Sequence, residues 1–216
     1  MLEIVEMVQT KPRKRVHDGM STTSRIIKRN FDVIVSALGI LLLFPAFLII
    51  YVLLRVVDGK NVIFRQERVG YKGKLFTLYK FRTMREDAEE NGIPQLCAEN
   101  DRRLTPIGAF LRRHHLDELP QLWNVLIGDM SIVGPRPERQ YFVDQIMEIN
   151  PEYRFLFRMR PGLFSMATLY NGYTDTMEKM QIRLRMDLDY LENRNFVLDL
   201  KIICMTVFAI LSGKHF

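Results

Sequence analysis

Asp117 and Glu118 are neighbouring carboxylates. They open the string Leu116-Asp117-Glu118-Leu119-Pro120-Gln121-Leu122-Trp123-Asn124-Val125-Leu126, whose residue types could do chemistry. Leu119, Leu122, Trp123 and Leu126 recur at helical spacing, which predicts a helix with that face buried. Asp117 or Glu118 then lies at the helix N-terminus, with Pro120 tolerated in the first turn. Free backbone N–H groups and the positive end of the helix dipole gather there, favouring phosphates and ionised carboxylates alike. Further on, Arg136 stands between Pro135 and Pro137. The prolines fix the backbone φ on both sides and remove two backbone donors. An ionised carboxylate beside a phosphate site, with a pre-aimed arginine, points to phosphoryl transfer. A bare Asp-Glu pair opening a helix is most often only a cap. The whole string, running on through Gly128-Asp129-Met130-Ser131 to Gly134-Pro135-Arg136-Pro137-Glu138, carries more than the pair does.

That longer string resembles the signature of the bacterial sugar transferases that act as monotopic polyprenol-phosphate phosphoglycosyl transferases. The resemblance extends from Lys28-Arg29-Asn30-Phe31-Asp32 to about Thr206, and includes matches at Gln66 to Gly70, Lys80 to Met84, Asp187 to Tyr190 and Leu198 to Lys201. It implies transfer of a sugar 1-phosphate from a UDP-sugar to polyprenol (undecaprenyl) phosphate, releasing UMP and initiating glycan assembly. By the same resemblance, Asp117 is the nucleophile that forms a covalent aspartyl intermediate. Glu118 holds Mg²⁺ together with diphosphate oxygens. Lys80, Arg82, Arg112 and Arg136 face the phosphates, and Asp199 is carried over as an active-site acid. Read from its own surroundings, Asp199 could equally be a helix-surface partner of Lys201 or Arg194. The chain also departs from the pattern. After Arg160-Pro161-Gly162 the family reads Ile-Thr-Gly-Trp-Ala-Gln and then Gly-Arg. Here the residues are Leu163-Phe164-Ser165-Met166-Ala167-Thr168 and then Gly172-Tyr173. Met166 and Tyr173 leave the local anion contacts and the sugar open. They also motivate a second reading, a catalytically silent membrane adaptor of a glycan-assembly complex, against which the intact Asp117, Glu118 and Arg136 speak.

The elements that must position these residues give an α+β, predominantly helical fold. Residues 1–24 form a basic extension containing Lys11-Pro12-Arg13-Lys14-Arg15, read as mobile or surface-bound. Residues 25–58 carry an apolar run from Val33 to Leu54, about 22 residues long, where a bilayer span needs roughly 20. Pro45 lies mid-run and favours a kink. Arg25, Lys28 and Arg29 precede the run, and Arg55, Lys60, Arg65 and Arg68 follow it. Lys/Arg excess marks cytoplasmic flanks, so both ends are expected on the cytoplasmic side, with a re-entrant helix bent at Pro45. In the resembled family this element is a re-entrant helix broken near a proline. Residues 59–216 form the catalytic domain. It begins with two strands, Asn61 to Val69 and Leu75 to Phe81, around a glycine-containing hairpin loop. Helices follow from Thr105-Pro106 and from Glu138 to about Ile149. The two C-terminal helices, Lys179 to Asn193 and Phe196 to Leu211, are amphipathic and interfacial.

The formal net charge of +6 suggests an anionic partner: a membrane face, a phosphorylated substrate or nucleic acid. A nucleic-acid binder would leave the apolar run unexplained, and no nucleic-acid-binding motif is present. Two cysteines, Cys97 and Cys204, lie far apart with no metal-binding spacing, which fits a reducing cytosolic compartment. The expected setting is the bacterial inner membrane, with the catalytic domain on the cytoplasmic face. A homo-oligomer stays open.

Overall fold

The computed structural model describes residues 15–212 apart from 58, 60, 86, 89–94, 96–100 and 173. The expectations for residues 11–14, the loop around Gly92 and Pro94, Cys97 and Tyr173 fall outside the described residues.

Helix α1, Thr22–Val57, spans 36 residues and is, among the described residues, the one helix long and apolar enough to cross a membrane. It runs as one helix through Pro45. A proline removes a single i→i−4 bond, and the bonds on either side of it can carry the helix past. Leu41, Leu42, Phe44, Leu48 and Ile49 are exposed along its middle. Each end also exposes apolar side chains, Ile26 and Ile27 at the start and Val56 and Val57 at the finish, but buries part of its surface. Lys28, Asp32 and Ser36 are buried at one end, Ile50 and Leu54 at the other.

Strands β1 (Ile63–Val69) and β2 (Leu75–Phe81) pair antiparallel, with Phe64 opposite Lys80 and Arg68 opposite Phe76. The hairpin closes through a 3₁₀ turn at Tyr71–Gly73. Helix α2, Pro106–Arg113, starts as its sequence predicts, with the Thr105 hydroxyl accepting from Gly108 N–H at 2.9 Å. Helix α3 (Gln121–Ile127) follows, and then β3 (Ser131–Val133), α4 (Gln140–Ile149), a 3₁₀ segment (Pro151–Arg158), β4 (Gly162–Phe164), α5 (Met166–Asn171), α6 (Met177–Asn193) and α7 (Phe196–Leu211). Strands β3 and β4 pair in parallel, Ser131 with Gly162 and Val133 with Phe164. Three-residue strands leave no alternation for a sequence to display.

The main core gathers Val125 of α3, Val143 and Ile146 of α4, and Leu184, Leu188 and Leu191 of α6 around Met130 and Ile132. Each fully buried apolar side chain here contributes about 1.5–3 kcal/mol. A second cluster joins Ile50 and Leu54 of α1 to Val62, Phe81 and Leu111. Part of the N-terminal extension belongs to this body: Val16 and Met20 are buried, and Asp18 accepts from Arg194 Nε at 2.8 Å and Nη2 at 2.7 Å. Of the two alternatives expected for the extension, mobile or surface-bound, residues 15–21 take the bound one, packed on the protein's own body.

Candidate active site

Asp117 and Glu118 do not sit on an α-helix. They lie in a 3₁₀ turn, Leu116–Glu118, preceded by His115 in the left-handed region at φ 54°. Pro120 is the cap of α3, which begins only at Gln121. Pro120 has no N–H to offer, so the regular hydrogen-bond ladder starts after it. The buried face of α3 also differs from the expected one. Gln121, Leu122, Asn124 and Val125 are buried, whereas Trp123 is 52 % exposed. Asn124 accounts for the rotation. Its side-chain oxygen accepts from Tyr79 N–H at 3.1 Å, and its Nδ2 donates to Thr77 O at 2.7 Å. The carboxamide pairs with β2 as a strand's peptide group would, and so fixes α3 against the strand carrying Lys80.

Lys80 Nζ donates to Glu118 Oε1 at 2.5 Å, and Arg136 Nη2 donates to the same oxygen at 2.9 Å. Burial raises the Glu118 pKa, but Arg136 and Lys80 override it and hold the group well below the usual carboxylate range. Burial pushes the neighbouring Asp117 carboxyl up; Lys80 opposes that, and the charge on Glu118 adds to it. Arg112 of α2 also favours the ionised form of Asp117. Burial lowers the Lys80 pKa, partly offset by Glu118. The arrangement is a buried carboxylate, Asp117, beside a half-buried one, Glu118, with unequal proton affinities, surrounded by Lys80, Arg112 and Arg136.

The backbone around Arg136 is held on both sides. Gly162 N–H donates to Pro135 O at 2.8 Å, Arg68 Nη1 to Pro137 O at 3.0 Å, and Val69 N–H to Glu138 O at 2.8 Å. Gly134 and Gly162 cross so closely that a Cβ on Gly162 would lie 2.1 Å from Gly134 N, which requires glycine there. Beneath the loop, Glu138 accepts from Arg183 Nη2 at 2.6 Å and Arg68 Nη1 at 3.4 Å. Burial raises Glu138, but the two arginines bring it below its ordinary value.

The remaining sequence-named residues lie as follows. Arg82 comes just after β2, with its N–H donating to Val62 O at 2.9 Å. Asp199 is buried on α7, accepting from Lys28 Nζ at 2.7 Å and Tyr190 Oη at 2.6 Å. These bonds tie Asp199 to α1 and α6, and its ion-pair partner is Lys28, not Lys201 or Arg194. Among the described residues, no group of three or more His, Cys, Asp or Glu side chains converges as a metal cage.

Residues 23–213 match the family described as bacterial sugar transferase. The chain belongs to that family. It is similar to the UDP-N-acetylgalactosamine-undecaprenyl-phosphate N-acetylgalactosaminephosphotransferase of Aeromonas hydrophila, with 37% identity over 87% of this chain and 44% of the relative. It is 38% identical to the UDP-glucose:undecaprenyl-phosphate glucose-1-phosphate transferase of Escherichia coli K12, over 88% of this chain and 41% of the relative. With the exopolysaccharide production protein PSS of Rhizobium leguminosarum bv. phaseoli it shares 40% identity, over 88% of this chain and 98% of that protein. The chain thus spans less than half the length of the first two relatives. The long apolar α1 points to association with a membrane.

Asn124, Glu138 and Arg183 were missed by sequence reasoning as residues that shape the site. A signal existed for Asn124, a polar residue inside an apolar-periodic helix. None existed for Arg183, one of many charged residues on α6.

Proposed function

We propose that this protein transfers a sugar 1-phosphate from a UDP-sugar to polyprenol phosphate at the cytoplasmic face of the inner membrane, yielding polyprenol diphosphate sugar and UMP. The observation that carries this reading is the adjacent Asp117–Glu118 pair, Asp117 buried, with Lys80 and Arg136 converging on one Glu118 oxygen. An ionised Asp117 oxygen attacks the sugar-side phosphorus, and the bond from that phosphorus to the UMP oxygen breaks. UMP departs. An oxygen of polyprenol phosphate then attacks the same phosphorus and releases the Asp117 carboxylate. Lys80, Arg112 and Arg136 offset the charge that both displacements place on the phosphoryl oxygens. The donor set fits Mg²⁺, which takes one or two carboxylates plus phosphate and water oxygens, with Glu118 as the protein's ligand. Such an ion supplies further positive charge at the diphosphate.

The packing of α1 supports a re-entrant placement. Arg29 Nη1 and Nη2 donate to Val125 O at 2.6 Å and Leu126 O at 2.9 Å near the start of the helix. Near its end, Phe47 meets Phe81 at 5.6 Å between ring centroids, within the cluster that includes Leu54 and Leu111. One charged body therefore touches both ends of α1. A full span would carry that body through the hydrocarbon core, where its charges are costly.

Enzyme mixed with UDP-sugar and Mg²⁺, without acceptor, should release UMP in a burst approaching one equivalent per site and gain the phosphosugar mass. Asp117→Asn should do neither. No burst and no adduct, under conditions where the complete reaction turns over, would favour direct transfer and overturn the aspartyl step. For topology, single cysteines introduced by Thr22→Cys or Asn61→Cys, with Cys97 and Cys204 replaced, should both resist an impermeant reagent in intact cells. Labelling of one but not the other would show a full span.

A further inference from the structure

An open cavity of about 520 Å³ lies between the start of α1, the turn of the β1–β2 hairpin and the 3₁₀ segment after α4. It is lined by Asp18, Arg25, Tyr71, Lys72, Phe157 and Arg158, and shares no lining residue with the site around Asp117 and Glu118. Arg25, Lys72 and Arg158 are exposed, and like charges gathered round one cavity repel one another. Asp18, the acid among the lining residues, relieves this little. Its two oxygens take hydrogen bonds from Arg194 at 2.8 and 2.7 Å, while Arg25 stands off at 3.7 Å. Arg160 brings a fourth cation to within 5.2 Å of the Tyr71 ring centroid, and Lys72 Nζ lies 5.3 Å from the same centroid. Lys72 is also held in the left-handed region, at φ 59° and ψ 24°, ahead of Gly73 at φ 71°. Turns with two successive left-handed residues are normally filled by Asn-Gly, Asp-Gly or Gly-Gly, and a lysine there is strained. Its side chain, not the turn, accounts for a lysine at that place.

The surroundings of the cavity identify the class of anion. Ile26 and Ile27, exposed directly after Arg25, begin the apolar surface of α1. On a helix that sits in a membrane, Arg25 then marks the depth at which hydrocarbon gives way to headgroups. Tyr71 and Phe157, both half-buried, give the cavity an aromatic wall, and tyrosine settles at that same depth. We infer that this cavity takes the phosphodiester headgroup of an anionic phospholipid, with Arg25, Lys72 and Arg158 around the phosphate oxygens. The lipid's glycerol backbone lies against Tyr71 and Phe157. A lipid held there fixes the N-terminal extension, the hairpin turn and the start of α1 at one depth in the bilayer. The inference rests on α1 lying in the membrane and is independent of the chemistry assigned to Asp117.

The test titrates the full chain, in a zwitterionic detergent, with dioctanoyl phosphatidylglycerol, dioctanoyl phosphatidylcholine or inorganic phosphate. The thermal midpoint gives the apparent Kd. Phosphatidylglycerol should raise the midpoint, and the other two should not at the same concentration. Lys72→Asn suits the left-handed turn, so it removes the ammonium without loosening the hairpin. It should raise the Kd for phosphatidylglycerol about fivefold, the scale of one basic residue near an anionic membrane surface. Arg25→Gln should do the same. Lys74→Asn removes an equal charge from an exposed residue beside the cavity but outside its lining, and should leave the Kd unchanged. Equal stabilisation by phosphatidylcholine overturns the inference, as does an unchanged Kd in Lys72→Asn and Arg25→Gln. Equal weakening by Lys74→Asn overturns it too, by showing a diffuse effect of surface charge. Stabilisation by inorganic phosphate at the same concentration overturns the lipid in favour of a free phosphate. Insertion of the chain into vesicles of phosphatidylcholine alone reports on α1 separately, and its failure would remove the ground on which the inference stands.

Discussion

Replacing Asp187 by asparagine should make the stability of this protein less dependent on pH. Two carboxylates, Glu138 and Asp187, lie near Arg183, and Glu138 takes its hydrogen bond at 2.6 Å together with one from Arg68 at 3.4 Å. Asp187 accepts from the Ser165 hydroxyl at a long 3.3 Å. Burial therefore dominates at Asp187 and raises its pKa from 3.8 to about 7, against the pull of Arg183 and Ser165. For an acid raised in the fold, the native state keeps a proton that the unfolded chain has lost. Stability is then fullest below about pH 4, falls as pH rises towards 7, and levels off above that. The difference of roughly three units corresponds to about 4 kcal/mol. Asparagine resembles the protonated acid in shape and does not titrate. Asp187→Asn should match wild type near pH 4 and exceed it by on the order of 10 °C in melting temperature near pH 8. The assay is the thermal midpoint in detergent between pH 4 and pH 8.5, by far-UV circular dichroism, with the variant-minus-wild-type difference as the quantity read. A difference that is flat across that range would refute the reasoning. Ser165→Gly should move the wild-type fall to higher pH, because the hydroxyl that favours the ionised form is lost.

Asn124→Ala should lower stability by about 2–4 kcal/mol, since Tyr79 N–H and Thr77 O both lose their partner, and hydrogen exchange at Tyr79 should quicken measurably. Lys80→Met should leave Glu118 with Arg136 alone, raising its pKa towards the ordinary range and lowering turnover by about 100-fold. The UMP burst rate should rise with pH along an acid limb displaced above the usual aspartate range, because burial raises Asp117, and a burst independent of pH down to 4 would count against Asp117 as the ionising group.

The sequence displays what depends on local pattern, and hides what depends on pairing across the fold. The cap at Thr105, the hairpin strands and the C-terminal helices were legible because each rests on spacing or on a turn residue within a few positions. The face of α3 was not, since its rotation is set by Asn124 reaching β2, 45 residues away in the chain. The positive residues before the apolar run looked like free flanking charge, yet Lys28 pairs with Asp199 and Arg29 caps α3 at its C-terminal carbonyls. A lysine at a helix start looks the same whether it faces lipid headgroups or a buried acid 171 residues on. The Asp117–Glu118 pair was found through its string, but the inequality between the two carboxylates needed Lys80 and Arg136 in place.

On the proposed reading, α1 does more than anchor the protein. Lys28, Asp32 and Ser36 recur every four residues and form a buried polar stripe on its first turns. Asp32 accepts from Ser131 Oγ at 2.8 Å and from Ile132 N–H at 3.1 Å, and so grips β3. Strand β3 runs directly into Gly134-Pro135-Arg136. Arg29, one position after Lys28, holds the far end of α3, which Asp117 and Glu118 precede. Gly128, at φ 98°, closes that helix end and passes its carbonyl to Arg160 Nε at 2.8 Å. The arginine and the carboxylate pair are thus both referenced to one short stretch of the membrane helix. A lipid acceptor presents its phosphate at a depth set by the bilayer interface, and a soluble donor can approach only from the water. Fixing Arg136 and Asp117 to the element that itself sits in the bilayer places both substrates' phosphates on one register, without relying on the flexible connection that an anchored but separate domain would have.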